Sequence, residues 1–337
     1  MKRMMPTSDK RRLLDAFAGR APRGAPFFEE VIEQRPAERV LGRNLPGGTR
    51  EMAPEDYVEL ALRLGLDAII AHTAGWLEGG RYREASNGAR RYAGGSEIGE
   101  RDLLRVVGEG AEAAENVRRY AAAVRDSRLA VMAWLPGIIT SPAIAMGYEA
   151  FALALYDRPE LISRACDAQT QRTLQALDAA VDGGADAVAL GDDISDSNGP
   201  MMAPDMLRGL WLERARTVTA RARARGVPAM LHCCGHLAVV LPLAIEAGFD
   251  AIQPVAACSD VPGILAAARE RIAVLGTIDV GSVLVRGSPA EVRAAALADW
   301  EAYGPAGFAL GSNHSINDAV PEANLRALAA AVAELRA

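Results

Sequence analysis

Apolar and polar positions along the chain form blocks that repeat. In each block a helix-forming segment rich in Ala and Leu is followed by a glycine, an aspartate two residues later and a run of apolar residues, as at residues 65–69, 184–188 and 248–252. Glycine readily adopts the left-handed conformation that ends a helix, and an uninterrupted apolar run is typical of a strand buried on both faces. The pattern therefore predicts parallel strands that are connected by helices.

Apolar runs of this kind predict a (β/α)8 barrel, because their number matches the eight strands of that fold. An open, doubly wound sheet would show the same alternation, but the chain has no G-x-G-x-x-G turn after its early strands, so we favour the closed barrel. Two helix starts are marked by Asp157 before Pro159 and by a capping box of Ser288 and Glu291. The predicted strands are residues 26–30, 67–71, 130–135, 187–191, 228–233, 251–255, 272–278 and 307–311.

The chain is expected to consist of a helical N-terminal extension, residues 1–24, and a single barrel domain, residues 25–337. Within the barrel, a connection at about residues 73–102 is long and rich in Gly and Arg. It leaves the C-terminal end of a strand, which borders the active site of a barrel, so it is either a lid over an anionic substrate or a solvated flexible loop. The side chains expected in such a lid are those of Trp76, Arg81, Arg83, Arg90 and Arg91.

Composition and charge exclude several classes of protein. The 337 residues, 50% of them hydrophobic, are enough for a large core and exceed the length of a bare barrel. A net charge of -6 and a pI near 5.4 provide no basic field that would attract nucleic acid. No apolar stretch approaches the ~20 residues that cross a bilayer, and the basic N-terminus lacks the apolar core of a secretory signal. We therefore expect a cytoplasmic protein without a membrane segment.

The strongest chemical signal is the segment Leu-His-Cys-Cys-Gly-His at residues 231–236. Alternate residues of a strand share one side, so His232 and Cys234 can reach a common point, and imidazole with thiolate is a ligand pair suited to zinc. Cys233 should face the opposite way and pack as a small buried hydrophobe. His236 is expected to be a capping or exposed residue at the start of the next helix.

A catalytic zinc ion usually takes three protein ligands, so a third ligand must come from another strand end. The favoured candidate is His314, which follows the final predicted strand in a turn rich in Ser and Asn. The other candidates are Glu30, Asp192 or Asp193, and Cys258.

Further titratable residues follow predicted strands. Asp192 and Asp193 come after the fourth strand and Asp279 after the seventh, where carboxylates can orient a ligand, accept a proton or support a metal-bound imidazole. We expect these three to be catalytic residues. His72 ends the second strand and is either a substrate contact or a structural residue, whereas Cys166 lies on the apolar stripe of a predicted helix and is expected in the core.

Five short segments follow one another along the chain: Gly-Asp-Asp at residues 191–193, Leu-His-Cys-Cys-Gly at 231–235, Gly-Phe-Asp-Ala-Ile-Gln-Pro-Val at 248–255, Gly-Thr-Ile-Asp at 276–279 and Asn-His-Ser-Ile at 313–316. Together they resemble the uroporphyrinogen decarboxylase superfamily over nearly the whole chain. The resemblance implies a (β/α)8 barrel, the same fold that the strand pattern predicts. At its strand ends we expect the substrate to contact Glu30, His72, Trp76, Gln253 and Asn313.

Two branches of that superfamily carry different chemistry. Its decarboxylases have a Met-Arg-Gln-Ala-Gly-Arg type segment that grips the carboxylates of the substrate, whereas residues 26–31 here read Pro-Phe-Phe-Glu-Glu-Val, with acids where cations would be needed. Its cobalamin-dependent methyltransferases, of the methylcobamide:coenzyme M type, hold zinc with an H-x-C pair and a later cysteine. His232 and Cys234 match the pair, and the later position falls near His314. The chain is thus more similar to the methyltransferase branch, with imidazole in place of sulfur.

The resemblance implies a zinc-dependent methyltransferase that moves a methyl group between a corrinoid, such as methylcobalamin, and a thiol or tetrahydrofolate-like acceptor. Asp192 or Asp193 would orient the substrate or a ligand histidine. We expect a small-molecule substrate, a separate corrinoid protein as partner and, as one option, a homodimer. The alternatives are a cofactor-free decarboxylase or lyase that acts on a carboxylated substrate, and a noncatalytic barrel that binds a corrinoid or a metal.

Overall fold

The structure is a computed structural model that describes residues 7–73, 77, 79–84, 90–95, 98–105, 110–256 and 258–337. Trp76, expected to contact the substrate, lies outside the described residues, and so do the side chains of Arg90 and Arg91. Among the helices that these ranges contain, none is long and apolar enough to cross a membrane.

Helices and strands alternate along most of the chain. The α-helices are α1 (Lys10–Phe17), α2 (Gln34–Leu41), α3 (Pro54–Leu64), α4 (Glu100–Leu103), α5 (Gly110–Ala123), α6 (Thr140–Met146), α7 (Tyr148–Asp157), α8 (Pro159–Asp182), α9 (Pro204–Ala224), α10 (Val240–Ala247), α11 (Val261–Ala268), α12 (Pro289–Tyr303) and α13 (Glu322–Glu334), with a π-helix at Val280–Val285. The strands are β1 (Ala68–His72), β2 (Arg81–Glu84), β3 (Arg90–Gly94), β4 (Ala130–Pro136), β5 (Ala187–Gly191), β6 (Ser195–Asp196), β7 (Gly199–Pro200), β8 (Ala229–His232), β9 (Ala251–Gln253), β10 (Ala273–Leu275) and β11 (Phe308–Ala309).

Seven of these strands form one curved parallel sheet in the order β1-β4-β5-β8-β9-β10-β11. Every residue of β4 and β5 is buried, because the helices cover one face of the sheet and the barrel interior covers the other. The predicted parallel strands after the first are confirmed, with ends that differ by up to three residues. The sheet therefore has the barrel architecture that the apolar runs predict.

Residues 26–28 join the first and last strands of this sheet, although they do not form the full strand predicted at residues 26–30. Phe27 makes a single parallel bridge with Leu310, and the Phe28 N–H donates to the Leu310 carbonyl at 3.0 Å. The Asp67 N–H, just before β1, donates to the Phe27 carbonyl at 2.9 Å. Pro26 has no N–H to donate, and the same segment makes one further parallel bridge, between Ile32 and Ile316.

Asp67 ties both ends of the described chain to the start of β1. Its carboxylate is fully buried and forms ion pairs with Arg12 of α1 at 2.8 Å and with Arg336, after α13, at 2.7 Å. It also accepts the backbone N–H groups of Asp9 at 2.8 Å and Phe27 at 3.0 Å. A buried charge is tolerated only when it is paired and hydrogen bonded, and here those partners hold the N-terminal end of the barrel together.

The long connection after β1 contains a hairpin. Strands β2 and β3 pair antiparallel with Tyr82 opposite Tyr92, whose ring centroids are 5.9 Å apart. The Tyr92 ring also packs edge to face against Tyr148 of α7 at 5.6 Å, and its hydroxyl donates to the Ile144 carbonyl at 3.1 Å. These contacts of Tyr92 hold the described part of the connection against α6 and α7.

The two predicted helix starts have different outcomes. Ser288 forms a complete capping box with Glu291 at the start of α12, as predicted. Pro159 begins α8, also as predicted, but Asp157 does not cap that helix. Helix α7 continues through Asp157, and the N-cap position of α8 falls on Arg158.

Candidate metal and active site

Three side chains from two neighbouring strand ends form a group that can hold a metal ion. They are Asp193, His232 and Cys234, whose ligand atoms all lie within 4.8 Å of one another. His232 Nε2 is 3.4 Å from Cys234 Sγ and 3.8 Å from Asp193 Oδ1. The prediction that His232 and Cys234 reach one point is met in the structure, and the third residue of the group comes from β5.

Strand pairing and a glycine position this group. Gly191 at the end of β5 pairs with His232 at the end of β8, so the residues after both strands lie side by side. Asp193 Oδ1 then accepts the Cys234 N–H at 2.8 Å. The chain turns at Gly235 with φ +95°, where a Cβ would lie 2.4 Å from the Asp196 carbonyl oxygen. Only glycine fits this turn, which keeps Cys234 beside Asp193.

His232 is held by groups behind its ring. It is 4% exposed, and its Nδ1 lies 2.6 Å from Gln253 Oε1 and 3.5 Å from Glu30 Oε2. An amide oxygen only accepts hydrogen bonds, so Nδ1 carries the proton, and Nε2 is directed to Cys234 and Asp193. Gln253 and Glu30, expected as substrate contacts, are therefore placed as supports of the imidazole.

The charges around this group favour an imidazolium beside a thiolate. Burial alone would lower the pKa of His232, but Glu30, the Cys234 thiolate and Asp193 oppose it, and the pKa is raised overall. Burial alone would raise the pKa of Cys234, but His232 and His314 lower it overall. Cys234 is thus deprotonated more readily than an ordinary cysteine, and the thiolate is the form that binds a metal.

The donor set fits zinc. Imidazole nitrogen, thiolate sulfur and carboxylate oxygen are all zinc ligands, and three protein ligands leave the fourth position open. Tetrahedral bonds of about 2.0–2.1 Å to nitrogen and about 2.3 Å to sulfur separate the two donors by about 3.5 Å. The separation of 3.4 Å between His232 Nε2 and Cys234 Sγ is close to that value. The carboxylate of Asp193 is 40% exposed and has room to adjust.

His314, the favoured third ligand, is not part of the three-residue group. Its side chain is exposed, and a hydrogen bond with Cys234 raises the pKa of its imidazole. Asp193, one of the alternatives, occupies the third place, because the pairing of β5 with β8 brings its carboxylate to the ring of His232. Cys258, another alternative, is exposed and outside the group.

Asp192 faces away from the group. Its carboxylate is fully buried and accepts the N–H groups of Ile138 at 3.0 Å, Ile139 at 3.1 Å and Thr140 at 2.8 Å, and the indole N–H of Trp211 at 2.8 Å. Burial raises its pKa overall, although these hydrogen bonds oppose the effect. Asp192 therefore holds the start of α6 in place, and of the two adjacent acids only Asp193 reaches the ligand atoms.

Asp279 and Asn313 form a pair at the neighbouring strand ends. Asn313 Nδ2 donates to Asp279 Oδ2 at 3.0 Å, and Asn313 Oδ1 accepts the Val280 N–H at 3.0 Å. Asp279 Oδ1 accepts the N–H and the hydroxyl of Ser282, both at 2.6 Å. Burial opposes ionisation of Asp279, but the bonds from Ser282 and Asn313 lower its pKa overall. Asp279 and Asn313 thus both accept backbone N–H groups at the start of the π-helix.

Two aromatic rings extend the site beyond the ligand group. Trp134 of β4 lies between His232 and His72, with ring centroids 4.9 Å and 5.9 Å away. A Cβ at Gly191 would lie 2.5 Å from Trp134 Nε1, so glycine makes room for the indole. Burial, with a smaller effect of Arg50, lowers the pKa of His72 to about 4, and its imidazole is neutral. Trp134 was not singled out in the sequence, although a tryptophan near the end of a buried strand was a usable signal.

Glu29 is a second site residue that the sequence did not indicate. It is 1% exposed, and burial raises its pKa to about 8. The Ser312 N–H lies 3.1 Å and 3.2 Å from its two oxygens, and the Ser312 hydroxyl is 2.6 Å from the His314 carbonyl. Glu29 therefore supports the turn that carries His314.

Cys166 and Cys233 lie in the core, as expected, whereas the expectation for His236 was wrong. Cys233 and Cys166 are fully buried, and burial raises the pKa of each thiol, to about 12 for Cys166. His236 Nδ1 accepts the Ala238 N–H at 3.3 Å, but His236 does not cap the next helix, because α10 begins at Val240 with Val239 at its N-cap position.

Comparison with known proteins gives both a family and a fold. The sequence model of the family described as uroporphyrinogen decarboxylase (URO-D) matches residues 100–335. A curated relative, the uroporphyrinogen decarboxylase of Bordetella petrii, is 32% identical over 193 residues, which are 52% of this chain and 48% of the relative. The chain thus spans about half the length of that relative.

Two solved structures share the fold along nearly the whole chain. A methyltransferase from Methanosarcina mazei superposes with a TM-score of 0.76 at 20% identity and covers 98% of this chain and 100% of that one. A B12-independent methionine synthase from Shewanella sp. W3-18-1 superposes with a TM-score of 0.57 at 12% identity, over 98% and 97% of the two chains. At these identities the likeness shows the fold alone. Because the family model matches well over half of the residues, the chain belongs to the uroporphyrinogen decarboxylase family.

Proposed function

We propose that this protein is a zinc-dependent methyltransferase that moves a methyl group from a corrinoid, presented by a separate protein, to a thiol or tetrahydrofolate-like acceptor. The group of Asp193, His232 and Cys234 at the ends of β5 and β8 carries the proposal. Barrel enzymes bind their substrates at this end of the strands. The name of the Methanosarcina mazei methyltransferase, which shares the fold over the whole chain, supports the same chemistry.

Each residue of the site has a role in this proposal. His232 Nε2, Cys234 Sγ and a carboxylate oxygen of Asp193 hold the zinc, and His314 stands beside Cys234. Gln253 fixes the tautomer of His232, and Glu30 places a negative charge behind it. Such partners of a ligand histidine orient the ring and raise its basicity. The indole of Trp134 packs against His232, and the neutral His72 packs against the indole.

A bound zinc ion would lower the pKa of an acceptor thiol and hold its sulfur in place. In this proposal the corrinoid is a substrate: the thiolate sulfur would bond to its methyl carbon, and the carbon–cobalt bond would break with its electron pair left on the corrinoid. The thiol proton is released to solvent. The protein contributes position, because the acceptor and the methyl donor must meet in line.

A decarboxylase is the second candidate, because the Bordetella petrii relative carries that name. Removal of carboxylate groups from a tetrapyrrole requires several cations around the substrate. The segment after Phe28 instead supplies Glu29 and Glu30, both buried beside the candidate site. A metal-ligating group is also not required for a cofactor-free decarboxylation. Both observations favour methyl transfer.

Metal analysis of the purified protein tests the ligand group. We expect stoichiometric zinc in the wild type and its loss in His232→Ala, Cys234→Ala and Asp193→Ala. Cys258→Ser is the matched control, because this exposed cysteine lies outside the group. Zinc-free wild type, prepared without chelators, would contradict the zinc site and leave the decarboxylase.

An activity assay tests the reaction itself. The zinc-loaded protein is incubated with methylcobalamin and a panel of thiols and tetrahydrofolate, and the loss of the methyl–cobalt absorbance is followed. We expect demethylation in the wild type and in Cys258→Ser and its absence in His232→Ala. No demethylation with any acceptor would refute the transferase.

A further inference from the structure

A cavity of about 570 Å³ lies at the N-terminal end of the barrel strands. It is bordered by the first residues of β10 and β11 and by the turn before β9, whereas His232 and Cys234 lie at the opposite, C-terminal ends of the strands. The end of α1 and the residues after it, 17–19, form another wall, so the N-terminal helical extension borders the cavity. The volume falls within the range of about 300–1,000 Å³ that is typical of sites for small ligands.

The turn before β10, which lines this cavity, departs from the repeat of glycine and aspartate along the chain. Three residues before β1, β5 and β9 stands a glycine with a positive φ, and the residue just before each of these strands is an aspartate. Before β10 the same two positions are Glu270, with φ +60°, and Ile272. A glutamate rarely adopts this left-handed conformation, and such conformations cluster at functional sites. The repeat thus lacks its aspartate here and places Arg269 and Arg271 on either side of the strained residue.

Three arginines that line the cavity have no acidic partner. Arg223 of α9 donates to the Gly248 carbonyl at 3.4 Å. Across the part of the chain that the structure describes, neither Arg223 nor Arg269 nor Arg271 forms an ion pair. Other arginines of α9, outside the cavity, each pair with a carboxylate; they are Arg208, Arg216, Arg221 and Arg225. The guanidinium groups at the cavity are therefore free to bind a ligand.

Acids and aromatic rings complete the lining. Two acids, Asp250 and Glu270, stand against the three arginines, so the charged residues of the lining carry a net charge of +1. The carboxylate of Asp250 already accepts the Ala229 N–H at 2.8 Å. The ring of Tyr303 packs against Phe308 with centroids 5.7 Å apart, and both residues line the cavity. An aromatic wall beside guanidinium groups suits a ligand with a flat ring and an anionic group.

We propose that this cavity is a second binding site, which takes a nucleoside phosphate. The phosphate groups bind Arg223, Arg269 and Arg271, and the base packs against Tyr303. Three guanidinium groups exceed what one carboxylate requires, whereas a phosphate carries close to two charges and three acceptor oxygens. Because the cavity and the metal-ligating group lie at opposite ends of the strands, the nucleoside phosphate is not a reactant. The inference goes beyond the proposed methyl transfer and does not depend on it.

The test is titration calorimetry of the full chain with ADP, GDP and UDP. Adenosine supplies a ring without phosphate, and pyrophosphate supplies phosphate without a ring. The variants are the pair Arg269→Gln with Arg271→Gln, and Tyr303→Leu. Arg221→Gln is the matched control, because Arg221 is an exposed arginine of α9 that pairs with Asp178 outside the cavity. Arg269 and Arg271 are exposed, so their replacement should leave the fold intact, and urea unfolding checks this for every variant.

We expect at least one of the three nucleotides to bind more tightly than adenosine and pyrophosphate, by about 10-fold or more. A charge-assisted hydrogen bond corresponds to about 10-fold or more in affinity, so the double arginine variant should weaken nucleotide binding by about 100-fold. Tyr303→Leu should weaken nucleotide binding by about 2- to 10-fold, the range of an aromatic contact, and leave pyrophosphate binding unchanged. Arg221→Gln should behave as the wild type.

Three results would overturn the proposal. The first is that none of the three nucleotides binds. The second is nucleotide binding that persists at full strength in the double arginine variant, or that is lost equally in Arg221→Gln. The third is equal affinity for a nucleotide and for either adenosine or pyrophosphate, because the cavity would then not recognise the ring and the phosphate together.

Discussion

The hydrogen bond between His232 and Gln253 offers the sharpest test of how the site is built. Gln253→Leu removes the acceptor of the Nδ1 proton and keeps the volume of the side chain. The lost bond is 2.6 Å long and both residues are buried, and the other acceptor near Nδ1, Glu30 Oε2, lies 3.5 Å away, too far for a good hydrogen bond. Leaving a buried donor unpaired costs about 1–3 kcal/mol. We expect zinc affinity to fall about 10- to 100-fold, the range typical of a lost partner of a ligand histidine.

The measurement is a competition between the protein and a chelator of known zinc affinity, with urea unfolding of the metal-free protein in parallel. Gln169→Leu is the control, because Gln169 is also fully buried and accepts a bond from Arg172 at 3.2 Å, but lies on α8, outside the ligand group. It should lower the free energy of unfolding and leave zinc affinity unchanged. Wild-type affinity in Gln253→Leu, or an equal loss in Gln169→Leu, would refute the view that Gln253 sets the tautomer.

Three further predictions concern the barrel and its turns. Gly235→Ala places a Cβ 2.4 Å from the Asp196 carbonyl oxygen, so zinc content should fall in metal analysis while the far-UV spectrum stays native; full occupancy would contradict this. Asp67→Asn removes the charge that pairs with two arginines and should cost about 3 kcal/mol in urea unfolding; a loss well below about 1 kcal/mol would speak against a structural ion pair. The pKa of Glu29 is raised from 4.5 to about 8, so the folded state keeps a proton that the unfolded state releases, and stability falls as pH rises from about 5 to about 8. Glu29→Gln should flatten that part of the pH profile of unfolding, and an unchanged slope would count against it.

The ligand pair was predictable because it depends on local geometry alone. His232 and Cys234 are two residues apart at the end of an apolar run, and strand alternation places them on one side wherever the strand lies. The third residue of the group comes from a different strand, and several acids follow strand ends. The register that pairs Gly191 with His232 brings Asp193 into the three-residue group, whereas His314 lies outside that group and beside Cys234.

The roles of the adjacent residues Asp192 and Asp193 could not be predicted from the sequence either. Nothing in the order Asp192-Asp193 tells which carboxylate reaches the ligand atoms. Backbone N–H groups at the start of α6, more than fifty residues earlier, donate hydrogen bonds to the Asp192 carboxylate. Of the two acids, only Asp193 therefore lies beside Cys234. Gln253 and Glu30 likewise became supports of His232 only when the barrel brought three strand ends together.

The sequence by itself determined the parallel strands, the helices between them and the His232–Cys234 pair, because apolar periodicity, helix-ending glycines and strand alternation act over a few residues. Tertiary structure decided the closure of the barrel by bridges at Phe27 and Ile32, the pairing of β2 with β3 in the long connection, and the placing of Glu30 and Asp193 around the candidate site. These features depend on hydrogen bonds and charges between residues far apart in the chain, whose meeting is fixed only when the sheet closes.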